Sequence, residues 1–258
     1  MRRSRPLPVA LSAVLLAASG AFAQVAPPAT TAAPVAVEVA PARDLVPFVA
    51  TYAVFRDGKP FGDATLQLVP LERARWRVDL RIDANRGLLG IAGLNLQQST
   101  LFDVAGTQYR PLTQSTVRKA LFGKRIATGT YDWTRNAAQW TGDVKKKRAA
   151  PVALRAGDMS GLLINLAVLR DAAPGATLHY RFVDEGRARE QQYVVAPVRE
   201  PQTVDDLAYD AMRVDRVRAG GETTTLWVVE GVPTPIRILQ REDDGSAVDL
   251  RLIDYKEA

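Results

Sequence analysis

From Phe48 onward, apolar and polar residues alternate along the chain with a period of two. The clearest run is Arg75-Trp76-Arg77-Val78-Asp79-Leu80-Arg81-Ile82-Asp83. Trp76, Val78, Leu80 and Ile82 fall on one face of an extended chain, and every residue between them is charged. This is the pattern of an antiparallel strand with one face on the core and one in water. Ala64-Leu66-Leu68, Leu178-Tyr180-Phe182 and Val248-Leu250-Leu252 repeat it. The runs are punctuated by turn signals at Asp57-Gly58, Ala105-Gly106, Asp184-Glu185-Gly186, Gly220-Gly221 and Asp244-Gly245, so the pattern predicts about a dozen strands, most of them joined by hairpins.

One segment departs from this period. Between Asp158 and Arg170, Leu162, Leu163, Leu166 and Leu169 recur at helical spacing. Asp158 or Ser160 offers an N-cap, and Pro174-Gly175 ends the helix. The segment is apolar on nearly all sides, which predicts burial against the sheet. The expected fold is therefore mainly β: a curved antiparallel sheet or open β-barrel with one buried helix near 158–170 across its concave side. The strands before and after the helix could form two similar sheets, although no sequence repeat marks them.

The N-terminus has a different character. Arg2, Arg3 and Arg5 precede an apolar run from Val9 to Ala18, and Ala21-Phe22-Ala23 supplies a small-x-small cleavage pattern. Residues 1–23 therefore read as a secretory signal peptide cut between Ala23 and Gln24. The run is short for a membrane span, and no stop-transfer pattern follows. Residues 24–46 are rich in Ala and Pro, lack the large side chains that offset ordering entropy, and read as a disordered tether. Residues 47–258 remain as a single β-rich domain. The expected location is the periplasm or the exterior, with no membrane-spanning segment.

Charge and composition narrow the chemistry. The formal charge of +6 falls by half once the three n-region arginines are removed, which gives no general case for nucleic acid. The chain has no cysteine, so disulfides and a lipidated cysteine are both excluded and stability rests on packing. With a single histidine, His179, Cys/His zinc sites are ruled out. His179 sits on the polar face of its strand and reads as solvent-facing, not as a base for a serine nucleophile. Gly157-Asp158-Met159-Ser160-Gly161 has the wrong spacing for a nucleophile elbow. Asp205-Asp206 and Asp243-Asp244 lack calcium-loop spacing and read as turn residues. A pair of distant carboxylates acting on a glycoside leaves no local signature and stays open. No catalytic residue and no cofactor is predicted.

Two features stand out as candidate contacts. Lys145, Lys146, Lys147 and Arg148 form a cationic run that could meet anionic head groups, or blunt a sheet edge, the preferred reading. Gly87-Leu88-Leu89-Gly90-Ile91-Ala92-Gly93-Leu94 is an apolar, glycine-rich loop. Its Leu88, Leu89, Ile91 and Leu94 are candidate ligand contacts, though covering the end of the sheet is the commoner role.

The order of segments resembles a known family. Tyr52 and a turn through Gly58 lead to Gly62; Ser99-x-x-Phe102 precedes a Gly106 turn and Tyr109-Arg110-Pro111; Tyr131-Asp132-Trp133 follows. Asp158-x-Ser160 opens a helix that ends at Leu169-Arg170 before Pro174-Gly175. Leu226-Trp227-Val228, Pro233-x-Pro235-Ile236-Arg237, a Gly245 hairpin and Val248-x-Leu250 close the series. Over about Phe48 to Tyr255 this resembles the bacterial family of domain of unknown function 3108. The resemblance implies an exported β-rich protein with no assigned activity or cofactor, and so transfers no catalytic residue. The expected architecture is also similar to that of periplasmic lipoprotein carriers of the LolA and LolB type, though the lipidated cysteine of the LolB type is missing here and a shared fold does not fix a function.

The reading that results is an exported, non-catalytic protein whose concave sheet accepts a lipid, acyl chain or other amphipathic ligand. The alternatives are a cell-envelope scaffold that binds a protein partner and, third, a carboxylate-based hydrolase.

Overall fold

The computed structural model describes residues 45–86, 95–120, 123–204, 206–217 and 222–257. The signal, most of the tether and the loop residues Leu88, Leu89, Ile91 and Leu94 lie outside the described residues. The expected mainly-β fold with one helix is what forms, but the alternation undercounts its strands. Sixteen are present among the described residues. The first half is a run of neighbours: β1 (Phe48–Arg56), β2 (Lys59–Leu71), β3 (Arg75–Asp83), β4 (Asn95–Ala105), β5 (Gln108–Ala120), β6 (Gly123–Asp132), β7 (Ala137–Gly142) and β8 (Val152–Ala153). Next come β9 (Asp158–Met159) and the helix α1 (Gly161–Asp171). The second half is β10 (Thr177–Asp184), β11 (Arg187–Val195), β12 (Glu200–Val204), β13 (Leu207–Val217), β14 (Thr223–Val228), β15 (Arg237–Arg241) and β16 (Ala247–Glu257). The strands that alternation misses include β8 and β9, each of two residues and too short to show a period.

The two expected halves are two arms of one sheet. β1 pairs with β16 from Phe48↔Glu257 to Arg56↔Val248, which places the first and last strands side by side at the centre. β8 and β9 are the far ends of the strand order. All the ladders are antiparallel except β9 with β10, where Asp158 lies beside Arg181 in a parallel pair. Residues from both arms bury their inner faces in one core with α1: Tyr52, Leu68, Val78, Phe102, Val195 and Leu226 meet Leu163, Ile164 and Val168. The helix is buried on nearly all sides, as its composition requires. Ser160 occupies the N-cap position, but its hydroxyl bonds Thr100 Oγ1 at 2.9 Å and not the helix backbone.

The two ends of the sheet overlap instead of joining by a ladder. Tyr131, Ala138 and Trp140, on the inner face of β6 and β7, pack on Val183, which points outward from β10. The Tyr131 hydroxyl donates to the Val183 carbonyl at 2.7 Å, with Gln114 Oε1 at 2.6 Å. Gln114 Nε2 in turn donates to Asp184 at 2.6 Å. Burial, followed by the nearby Asp184 and Asp158 carboxylates, pushes the Tyr131 phenol well above its ordinary pKa, so it remains a donor. Arg181 Nη1 binds Asp158 at 2.6 Å, and that carboxylate is wholly buried. Gly186, in the turn after β10, has φ +70° and lies so close to the Arg148 carbonyl that an added Cβ would sit 2.0 Å from it. Only glycine satisfies both conditions. At Gly129 the missing Cβ makes room for the Trp140 indole, which would otherwise lie 2.5 Å away.

Two substitutions test this seam. Tyr131→Phe removes a buried hydroxyl and leaves the Val183 carbonyl without its partner, an expected loss of about 1–3 kcal/mol in urea unfolding. Asp158→Ala leaves the largely buried Arg181 with only its longer contact to the exposed Glu190, an expected loss of about 3 kcal/mol by the same measurement.

Candidate functional site

The inner face of the sheet is not filled along its whole length. To one side of α1 it opens into a cleft of about 690 Å³, within the ~300–1,000 Å³ range of small-molecule sites. Strand register explains its walls. Val78 on β3 is fully buried beneath the helix, whereas Leu80 and Ile82, two and four residues further on the same face, are only half-buried and line the cleft. Leu96 lies opposite Ile82, and on the far wall Ile238 pairs with Leu250. Leu162 of α1 and Phe182 of β10 add to the apolar lining.

The polar groups come from the same faces further along. On β11, Tyr193 and Val195 face the core, so Gln191, Arg189 and Arg187 face the cleft by alternation. Arg189 lies opposite Phe182, and Arg187 opposite Asp184. Arg118 lies opposite Leu96, and Arg216 opposite Tyr193. Four guanidinium groups thus line one apolar cleft. Arg118 is matched to Glu185 at 3.1 Å and Arg216 to Glu222 at 2.8 Å. Arg187 and Arg189 form no ion pair among the described residues. Desolvation, then the neighbouring charges of Arg189 and Arg148, pushes the Arg187 pKa down, although a guanidinium stays charged. Two further polar atoms of the lining, Thr224 Oγ1 and Arg216 Nε, are buried without a hydrogen-bond partner. Burial, the largest cause, raises Tyr193 to about 12, against the lowering influence of Arg216.

Two other concavities are smaller. At another face of α1, a hollow of about 320 Å³ is lined by Leu68, Leu166, Leu169 and Val232. Its Arg170 stacks on Tyr109 at 4.6 Å and pairs with Asp171 at 2.6 Å. On the outer face, Arg237 lies 4.7 Å from the centre of the Trp227 ring and binds Asp249 through two 2.8 Å hydrogen bonds.

The residues singled out in the sequence are placed apart from the cleft. Lys145, Lys146 and Lys147 are exposed in the connection that runs from β7 to the edge strand β8. Arg148 is separated from them in role: its side chain is 13% exposed and pairs with Glu185 at 3.2 Å, so it belongs to the seam. His179 is exposed on the outer side of β10. Asp244 accepts the Ser246 backbone N–H in a turn. Among the described residues no group of three or more His, Cys, Asp or Glu could hold a metal ion, and no helix is long and apolar enough to cross a membrane. Sequence reasoning missed Arg118, Arg187, Arg189 and Arg216. The spacing Arg187-x-Arg189-x-Gln191-x-Tyr193 put three polar residues on the face of a core aromatic, and that was the available signal.

The structure is similar to that of a beta-barrel-like protein of domain of unknown function DUF1849 from Brucella abortus, with 11% sequence identity and a TM-score of 0.47, covering 84% of this chain and 99% of that one. No curated protein matches the sequence. The model of DUF3108, a family described as proteins of unknown function, matches residues 48–252, and the chain belongs to that family.

Proposed function

We propose that this protein is exported to the periplasm and binds an amphipathic ligand, with its apolar chain held in the cleft beside α1. The reading rests chiefly on one observation: a cleft of about 690 Å³ whose inner wall is aliphatic and aromatic, the larger of the two hollows that flank α1. An apolar surface of this kind left open to water is unfavourable unless something covers it. Export is supported by the basic n-region, apolar run and cleavage pattern of residues 1–23.

A binding role accounts for the lining better than hydrolysis does. Of the two carboxylates that border it, Glu222 is paired with Arg216, and Glu190 is on the outer face of β11 by alternation, 3.8 Å from Arg181 Nε. A scaffold that adds a strand to the sheet would have to use the open sides of β7 or β12, because the terminal strands β8 and β9 are two residues each.

Titration of the delipidated protein with alkyl chains of increasing length, followed by displacement of a fluorescent fatty-acid probe, tests the proposal. Affinity should rise by about fourfold per added methylene until the cleft is filled. Leu80→Glu, at a half-buried position of the cleft wall, should weaken binding by about tenfold or more with the fold retained by circular dichroism. Affinity independent of chain length, or unchanged by Leu80→Glu, would count against this site.

A further inference from the structure

The cleft carries more positive charge than its own carboxylates match, and the excess is concentrated on one strand. Arg187 and Arg189 stand two residues apart on the inner face of β11, at the end away from the buried Tyr193 and Val195. Neither has an ion-pair partner among the described residues, while Arg118 and Arg216 on the other walls are already balanced by Glu185 and Glu222. Two unpaired guanidiniums on neighbouring positions of one face repel each other, and an anion between them would relieve the repulsion. Arg181 and Arg148 show how the protein treats its other arginines in this region: both are paired, to Asp158 and to Glu185.

We infer that the cleft selects an amphiphile with an anionic headgroup, bound by Arg187 and Arg189, with its tail against Leu80, Ile82 and Ile238. This rests on the proposed binding of an apolar chain and adds the chemistry of the other end of the ligand. A planar guanidinium offers two parallel donors to a phosphate or carboxylate, and such charge-assisted bonds are stronger than neutral ones. The buried, unpartnered Thr224 Oγ1 and Arg216 Nε supply further hydrogen-bonding capacity in the same cleft. The β11 positions hold the headgroup near the opening, where a charge keeps part of its hydration, while the tail lies deeper against the apolar wall.

The test compares ligands with one tail and different heads, each below its micelle concentration, on the full chain. Dodecyl phosphate, dodecyl glucoside and inorganic phosphate are titrated into wild type, Arg187→Gln/Arg189→Gln and Arg187→Lys/Arg189→Lys. Dodecyl phosphate should bind about tenfold or more tightly than the glucoside. The Gln pair should abolish that preference while leaving glucoside affinity in place, and the Lys pair should retain part of it. Raising salt should narrow the wild-type preference. Equal binding of both dodecyl ligands would overturn the headgroup assignment while leaving acyl binding intact. Binding of neither would overturn the underlying reading as well. If inorganic phosphate bound as tightly as dodecyl phosphate, the arginines would be a site for a free anion and the amphiphile would be wrong. Both arginines are exposed and unpaired, so the variants are expected to fold as wild type does, checked by their melting temperature.

Discussion

A sheet that curls around a helix without closing its ladder must seal the place where its ends meet, and most of this architecture follows from how that is done. The inner face of β6 and β7 lies over the outer face of β10, and the contact is held by side chains in place of backbone pairing. Two kinds of interaction share the task. Tyr131, Trp140 and Val183 exclude water, and Asp158 pairs with Arg181 and Glu185 with both Arg118 and Arg148, although Asp158 Oδ1 and Arg148 Nε are left without a hydrogen-bond partner. Desolvated pairs such as Asp158 with Arg181 contribute little net stability when intact but are costly to break, so they act mainly to fix register. What they fix is the turn from β10 to β11. The residues immediately beyond that turn are Arg187 and Arg189, so the seam also sets the position of the arginines at the cleft.

One strand face serves as core at one end and as binding wall at the other. Along β11 the inward positions run from Val195, wholly buried, through Tyr193 and Gln191 to the exposed Arg189 and Arg187. Along β3 they run from buried Val78 to half-buried Leu80 and Ile82. The helix is eleven residues long and fills only part of the trough against which it packs. Where it ends, the apolar faces continue without cover from other described residues. A graded lining from aliphatic to cationic results from the length mismatch between helix and sheet, with no special loop required among the described residues.

Much of this was legible in the sequence, and what was not has a common cause. Alternation found the long strands, and Leu162, Leu163, Leu166 and Leu169 marked the helix because a buried helix writes its packing into every turn. Two-residue strands such as β8 and β9 leave no period to read. Asp158 looked like a helix cap because it precedes the apolar run, but it is spent on Arg181, 23 residues away. Arg148 looked like part of a cationic run, yet it binds Glu185 across 37 residues. Arg187 and Arg189 were passed over because alternation assigns residues to two faces without saying which is inside, and a polar inner face near a strand end reads like an outer one. Each of these depends on a pairing between distant strands that local patterning does not encode.

Where a ligand sits is shown most directly by a map of backbone amide chemical-shift changes in the full chain on addition of dodecyl phosphate. Shifts concentrated on Leu80, Ile82, Phe182, Arg187, Arg189 and Ile238, with the outer residues Trp227 and His179 unmoved, are the expected result. Saturating changes centred on the outer face, or none at concentrations approaching micelle formation, would contradict it.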